Sequence, residues 1–347
     1  MEMTIRDLTE SAAARELDAA ELAGALSALL DESVAVPERA AFLKAIAGRG
    51  ATAAELAGFA RELLDRSVGL SGLPDGTIDV CGTGGDRAGF FNISTAAMFV
   101  AAGAGALVAK HGNRGITSRS GAADVLEALG VRIDLPPERA AVCLREAGCC
   151  FFFAPAFHPA LKAVAPVRKY LAEQGSPSIF NMLGPLLNPA RPAFQLAGLF
   201  DAGAIELYAD AMAALGRTRA WAVNGTGPAG LRLDEISTLG PTLVAESGYA
   251  RPAVRLDFDA ADLGFARPDP AGLAGGSAAE NAGILEGILT AADKGPRREI
   301  VVINAAAALR VCGIAEGWPD AIGRARESID SGAAGCALAR LREASAG

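Results

Sequence analysis

What this 347-residue chain holds little of already closes several kinds of chemistry. It has two histidines, His111 and His158, and six cysteines, Cys81, Cys143, Cys149, Cys150, Cys312 and Cys336, with no C-x-x-C pair among them. A structural zinc site is therefore not expected. No basic stretch followed by an apolar one opens the sequence, since Met1 to Glu10 is polar and acidic, so a cytoplasmic protein with reduced, packed cysteines is expected. Positive charge is in deficit: Lys plus Arg total 32 against 40 for Asp plus Glu, a net charge of −8. That balance gives no global attraction to nucleic acid or to an anionic membrane, and it leaves any phosphate binding to a local site. The longest uncharged run, Ala88 to Ala109, is long enough to span a bilayer. It is built mostly from alanine and holds Asn92, Ser94, Thr95 and several glycines, so it reads as a buried loop and helix.

What is present describes a globular protein. Hydrophobic residues make up 51% and charged residues 21%, which excludes a disordered chain and a small disulfide scaffold. At roughly 150 residues per domain the length suggests about two domains. Residues 1–72 carry helical periodicity: Leu22, Leu26, Leu29 and Leu30 recur at i, i+4, i+7 and i+8, and Leu56, Phe59, Ala60, Leu63 and Leu64 repeat the pattern. Thr52 and Glu55 have the spacing of a capping box. A turn-rich stretch, Ser71 to Gly76, then reads as a linker or hinge. Beyond it, short apolar runs alternate with helical ones. Thr77 to Cys81, Ala106 to Ala109, Val131 to Leu135, Cys149 to Phe153, Arg219 to Val223 and Glu299 to Ile303 are the strand candidates. The expectation is an α/β fold: a small N-terminal helical domain, and a large α/β domain over 76–156 and 193–347 with a mostly parallel central sheet flanked by helices. The proline-rich excursion around 157–192 is expected to join the helical part.

Four segments can carry chemistry. Cys81-Gly82-Thr83-Gly84-Gly85-Asp86, then Asn92-Ile93-Ser94-Thr95, follow the first strand. Glycines admit close approach of a ligand, and the free N–H groups of a helix start favour an anion. This is neither a Walker loop nor a G-x-G-x-x-G fingerprint, so it reads as a phosphate cradle or as a tight turn. Lys110-His111-Gly112-Asn113-Arg114, with Thr117 to Gly121 behind it, concentrates one of only five lysines, two arginines and half the histidine. It is a second anion cradle facing the first, or an exposed basic loop. Taken alone, His111 reads as a hydrogen-bonded structural histidine. Phe157 to Lys169 places basic groups at His158, Lys162, Arg168 and Lys169, as a solvated face also would. Leu233-Asp234-Glu235-Ile236-Ser237 sets two carboxylates side by side, for magnesium or as surface charge.

Taken in order, these segments resemble the anthranilate phosphoribosyltransferase family. The landmarks are GTGGD at 82–86, NIST at 92–95, KHGNR at 110–114, SGAADVLEALG at 120–130, FHPALK at 157–162, PVR at 166–168, IFNMLGPLLNP at 179–189, DEIS at 234–237, ENAGILEGIL at 280–289 and NAAAAL at 304–309. The resemblance spans nearly the whole chain. It implies a fold of the nucleoside phosphorylase and phosphoribosyltransferase type, with the small domain hinged to the large one, the active site in the cleft between them, and a homodimer formed through the helical domain. It also implies transfer of the phosphoribosyl group of phosphoribosyl pyrophosphate to the amino group of anthranilate, with magnesium and release of pyrophosphate, in tryptophan biosynthesis. Carried over by position, Gly82, Gly85, Asp86, Asn92, Ser94, Thr95, Lys110 and Ser118 fall at phosphoribosyl pyrophosphate. Gly82, Asn113 and Arg168 fall at anthranilate, and Ser94, Asp234 and Glu235 at magnesium. No certain catalytic residue is implied; transition-state stabilisation falls to Lys110, His111, Arg168 and the metal. The chain departs from the family's pattern at three places. Phe90 stands where a hydroxyl residue is usual, Ala122 where a serine is, and 224–233 is longer than usual. Two other readings stay open at this point: a pyrimidine nucleoside phosphorylase-like enzyme, and a catalytically idle paralogue that binds nucleic acid.

Overall fold

Of the first four helices, Ile5–Ala14, Ala19–Leu30, Val36–Arg49 and Ala53–Asp65, all but the third start where side chains satisfy open N–H groups of the helix end; Val36–Arg49 has no side-chain cap and carries Pro37 in its first turn instead. Thr4 with Asp7, Asp18 with Glu21, and Thr52 with Glu55 each form a reciprocal capping box. Glu55 is fully buried and does more than cap: its carboxylate also accepts from the N–H of Leu17 at 3.0 Å and pairs with Arg49 at 2.5 Å. The apolar stripes of these helices, among them Leu26, Leu29, Phe42, Ile46, Leu56 and Phe59, close on one another in a single core. Val164, Val167, Leu171, Phe180, Leu183 and Leu187, from the proline-rich excursion, are buried in that same core. The computed structural model describes residues 3–84, 88–115, 119–249 and 251–347.

The strands are β1 (Ile78–Gly82), β2 (Val108–Gly112), β3 (Cys149–Phe153), β4 (Phe194–Gly198), β5 (Arg219–Thr226), β6 (Arg232–Leu233), β7 (Thr242–Gly248) and β8 (Arg251–Arg255). They form one sheet in the order β3-β2-β1-β4-β5-β7-β8, with β6 paired to β5. From β3 to β5 every pairing is parallel; β5 with β6, β5 with β7, and β7 with β8 are antiparallel. The sheet grows from β1 towards β2 and β3 on one side and continues through β4 on the other. At such a reversal the connections leave the carboxyl ends of neighbouring strands in opposite directions, and a crevice opens there. Alternation along the strands separates two cores. Ile78, Val80, Val108, Leu196 and Val223 pack with the core of the helices Ile93–Gly103, Pro296–Val311 and Ala333–Ala346. Ala197, Ala220, Ala222 and Ala245 face the helix Ile205–Ala214 and the helical bundle.

Three sequence expectations need correction. Glu299 to Ile303 lies inside the helix Pro296–Val311, which is buried on nearly every side, and a short apolar run cannot distinguish a buried strand from such a helix. Val131 to Leu135 is irregular, although Val131, Ile133 and Leu135 are buried while Arg132 and Asp134 are exposed. The alternation is real, but among the described residues it pairs with no strand. The second strand begins at Val108, after a glycine turn, rather than at Ala106. The run from Ala88 divides into loop, the helix Ile93–Gly103 and the start of β2, and among the described residues no helix is long and apolar enough to cross a membrane.

Candidate active site

The crevice at the ends of β1 and β4 is floored by glycine because another piece of backbone lies on it. A Cβ on Gly198 would stand 1.6 Å from the carbonyl oxygen of Asp234, one on Gly82 would stand 2.5 Å from Asp234 Oδ2, and one on Gly225 would stand 2.4 Å from the carbonyl oxygen of Glu235. Any side chain at these strand ends would lift the segment that carries the two carboxylates. Each carboxylate is in turn oriented by a backbone donor. Gly84 N–H donates to Asp234 Oδ2 at 2.7 Å, and Ser94 N–H, in the first turn of Ile93–Gly103, donates to Glu235 Oε1 at 3.0 Å. The helix start that the sequence marks for an anion therefore holds Glu235 in this structure.

Lys110, 2% exposed in the middle of β2, completes the cluster: its ammonium donates to Val80 O at 2.5 Å and to Ser94 Oγ at 3.1 Å. Gly82, Ser94, Asp234 and Glu235 line one cavity together with Asn304. The donor set is all oxygen, two carboxylates and a hydroxyl, and suits a hard divalent cation. Among the described residues no group of three or more His, Cys, Asp or Glu could cage a metal alone. Magnesium fits such a site, because it keeps its waters and is commonly held by one or two carboxylates plus the phosphates of a substrate. Cys81 also lines the cavity, but burial pushes its thiol far above the usual range, so it offers no thiolate nucleophile.

Of the other expected residues, Asn92 stands just before Ile93–Gly103, and its Nδ2 donates to Ser120 O at 3.3 Å. Thr95 is fully buried, its hydroxyl has no partner among the described residues, and its backbone N–H lies in the first helical turn, where it can meet an anion. Asn113 is exposed at the end of β2, and its Oδ1 accepts from Arg114 N–H at 2.7 Å. Arg114 turns away from any cradle to pair with Glu127 and Asp124, which raise its pKa. Arg168 is exposed on the helix Ala165–Glu173 and makes no hydrogen bond or ion pair among the described residues. Gly85, Asp86 and Ser118 lie outside the described residues.

His111, the residue after Lys110 on β2, is buried. Burial first, then the neighbouring His158, push its pKa down to about 3, so the ring is neutral. Its Nδ1 lies 3.2 Å from Gly184 O, which makes Nδ1 the protonated nitrogen, and the buried Nε2 has no partner among the described residues. Two residues that shape the site carry no signal at the level of motif chemistry. Asn304 clamps the segment behind the carboxylates: Ile236 N–H donates to its Oδ1 at 2.9 Å, and its Nδ2 donates to Ile236 O at 2.9 Å. Gly198 is the other. A lone amide in an alanine-rich helix and a glycine closing a strand are the signals that could have marked them.

Comparison with known proteins gives consistent findings. Residues 75–335 match the family described as "Glycosyl transferase family, a/b domain". The chain is 47% identical over 272 residues to the anthranilate phosphoribosyltransferase of Herpetosiphon aurantiacus, covering 78% of each. Its fold is similar to the crystal structure of anthranilate phosphoribosyltransferase from Thermus thermophilus, with TM-score 0.88 and 34% identity over 98% of this chain and 100% of that one. It is also similar to the Saccharomyces cerevisiae enzyme in complex with phosphoribosyl pyrophosphate and magnesium, with TM-score 0.81 and 27% identity over 99% of this chain and 93% of that one.

Proposed function

Because the chain belongs to the anthranilate phosphoribosyltransferase family, we propose that it transfers the phosphoribosyl group of phosphoribosyl pyrophosphate to the amino group of anthranilate, a step of tryptophan biosynthesis. The observation that carries this reading is the Asp234–Glu235 segment laid on glycine across the ends of β1 and β4, facing Ser94 and Lys110. The reaction forms a bond between the amine nitrogen and the anomeric carbon and breaks the bond from that carbon to pyrophosphate, while the amine loses a proton. An arylamine is neutral near pH 7 and needs neither a strong base nor a covalent nucleophile. What the protein must do is align the two reactants and meet the negative charge that gathers on the leaving group.

Lys110 supplies a buried positive charge for that purpose. Gly82, Gly85, Asp86, Asn92, Ser94, Thr95, Lys110 and Ser118 bind phosphoribosyl pyrophosphate. Ser94, Asp234 and Glu235 hold magnesium, which when bound adds positive charge beside the departing pyrophosphate. Gly82, Asn113 and Arg168 bind anthranilate, with the planar guanidinium of Arg168 matched to the carboxylate of the aromatic acid. In this reading Arg168 stands on a helical domain, built from 1–72 and the 157–192 excursion, that closes towards the α/β domain and also forms a homodimer. The protein works in the cytoplasm, with no nucleic acid or membrane as partner, in keeping with its net charge of −8. The test is direct. Purified protein mixed with phosphoribosyl pyrophosphate, magnesium and anthranilate should extinguish the fluorescence of anthranilate. Stable fluorescence, together with phosphate-dependent cleavage of thymidine or uridine or with binding of single-stranded DNA, would replace this function by one of its rivals.

A further inference from the structure

Asn281 is a lone amide on the helix Ala278–Leu289, 2% exposed, in a position where an unbonded polar group would be costly. Its Oδ1 accepts from Gly276 N–H at 2.8 Å. A backbone N–H can only donate, so this bond fixes which end of the amide points which way. Asn281 Nδ2 therefore faces outward, donating to Asn92 Oδ1 at 2.9 Å and to Ser120 Oγ at 2.9 Å. Asn92 must then present its oxygen to Asn281 and turn its own Nδ2 to Ser120 O, at 3.3 Å. The Ser120 hydroxyl proton points to Gly276 O, at 3.4 Å. The series begins at an obligate donor, Gly276 N–H, and ends at an obligate acceptor, Ser120 C=O. No amide within it can flip without breaking two bonds.

The two residues so joined belong to different loops. Asn92 opens the helix that follows the glycine-rich turn, and Ser120 lies in the segment that follows KHGNR. The two ends of an asparagine amide have the same shape, so only its partners decide whether N–H or C=O is offered to a ligand. We propose that Asn281 is a positioning residue for the pyrophosphate group: it holds the amide of Asn92 with its N–H end towards the second loop, and it sets the distance between the two anion-binding loops through Ser120. The second N–H of Asn92 has no partner among the described residues and remains for an anionic oxygen. With the amide reversed, lone pairs would face that oxygen.

This inference rests on the function proposed above, and the wild-type protein in the same assay separates the two. In Asn281→Asp the inner group only accepts, so Asn92 turns its N–H inward, and a negative charge is added nearby. The KM for phosphoribosyl pyrophosphate should rise about tenfold or more, by loss of a charge-assisted bond, with the KM for anthranilate within about twofold of wild type. Asn281→Ala should show a smaller rise in the same constant. In an Asn92→Ala background, Asn281→Ala should add almost nothing, because its route of action is already gone. Melting temperatures of all variants accompany the kinetics. An unchanged KM for phosphoribosyl pyrophosphate in Asn281→Ala, or equal rises in both KM values, or full additivity with Asn92→Ala, would make Asn281 a purely structural residue. A wild-type protein that leaves anthranilate untouched would instead overturn the function itself.

Discussion

On the face of β1 and β2 that meets the helix Ile93–Gly103, the buried Lys110 ammonium bonds Ser94 Oγ, and Ser94 in turn orients Glu235. On the opposite face the next residue, His111, points to Gly184 O, and around it Gln195 Nε2 donates to Pro185 O at 2.6 Å, Arg217 Nε donates to Gln195 Oε1 at 3.0 Å, and His158 Nε2 lies 2.6 Å from Leu187 O. Both faces are polar and both are buried. They differ in what they bond. The second closes on backbone carbonyls of the 184–187 turn and seals the IFNMLGPLLNP segment to the sheet. The first also bonds one backbone carbonyl, Val80 O, but runs on through Ser94 to side-chain oxygens gathered at a strand switch point, where a ligand can join them. Burial of a polar residue is thus no mark of a site; the chemical kind of its partners is.

The contrast can be broken most severely at Gly198. Alanine there has no room beneath the carbonyl oxygen of Asp234, so the carboxylates must lift, and a displacement of that order should lower kcat on the order of a hundredfold. Initial rates at saturating substrates with a melting curve check this, and near wild-type turnover would show that the floor does not fix the carboxylates. Lys110→Met comes next. Loss of a charge-assisted contact should reduce kcat/KM for phosphoribosyl pyrophosphate by about 1.5 to 3 kcal/mol, roughly ten- to a hundredfold. Unaltered steady-state constants would return Lys110 to a structural role.

The opposite face should answer to pH instead. The folded pKa of His111, about 3, lies below its ordinary 6.5, so the stability of its neutral form is present above about 6.5 and is lost as pH falls towards 3. Asp79, on the same face, runs the other way: burial raises its pKa to about 6, so its cost is relieved between about 6 and 3.8. Comparison of wild type with His111→Gln leaves Asp79 common to both. The stability difference should shift by about 2 kcal/mol between pH 7.5 and pH 5, in favour of the variant at the lower pH. Denaturant midpoints at the two pH values decide it, and parallel behaviour would mean the ring is not held neutral. The smallest effect concerns Ala122, the first residue of the helix Ala122–Ala128, beside Gly112. Ser120 is engaged by Asn281 and does not replace a hydroxyl there. Ala122→Ser should therefore tighten phosphoribosyl pyrophosphate by up to about 1 kcal/mol, roughly fivefold, in a calorimetric titration. Equal or weaker binding would mean that the loop has already met its contacts.

Much of this site was legible as chemistry and little of it as support. Lys110, Ser94, Asp234 and Glu235 stand out in short motifs, and β3 and the Thr52–Glu55 capping box fall where the sequence puts them. What holds the carboxylates does not: Gly82 and Asn304 stand in the GTGGD and NAAAAL landmarks, but their support of the 234–236 segment, like that of Gly198, arises only once the sheet has formed. The misread Glu299 to Ile303 has the same origin. The unbroken apolar run from Ile300 to Ile303 follows from burial on nearly every side, which erases the periodicity that marks a half-buried helix.

The central claim is that Asp234 and Glu235, set on the glycine floor of the switch point, make the transfer reaction depend on magnesium. Titration of the initial rate with magnesium, for wild type and for Asp234→Asn combined with Glu235→Gln, tests it most directly. The account predicts that the double variant, folded to the same melting profile, needs more magnesium for half-maximal rate and reaches a lower kcat, because a hard cation loses its anionic ligands. Superimposable magnesium curves would contradict it and leave the pair as surface charge.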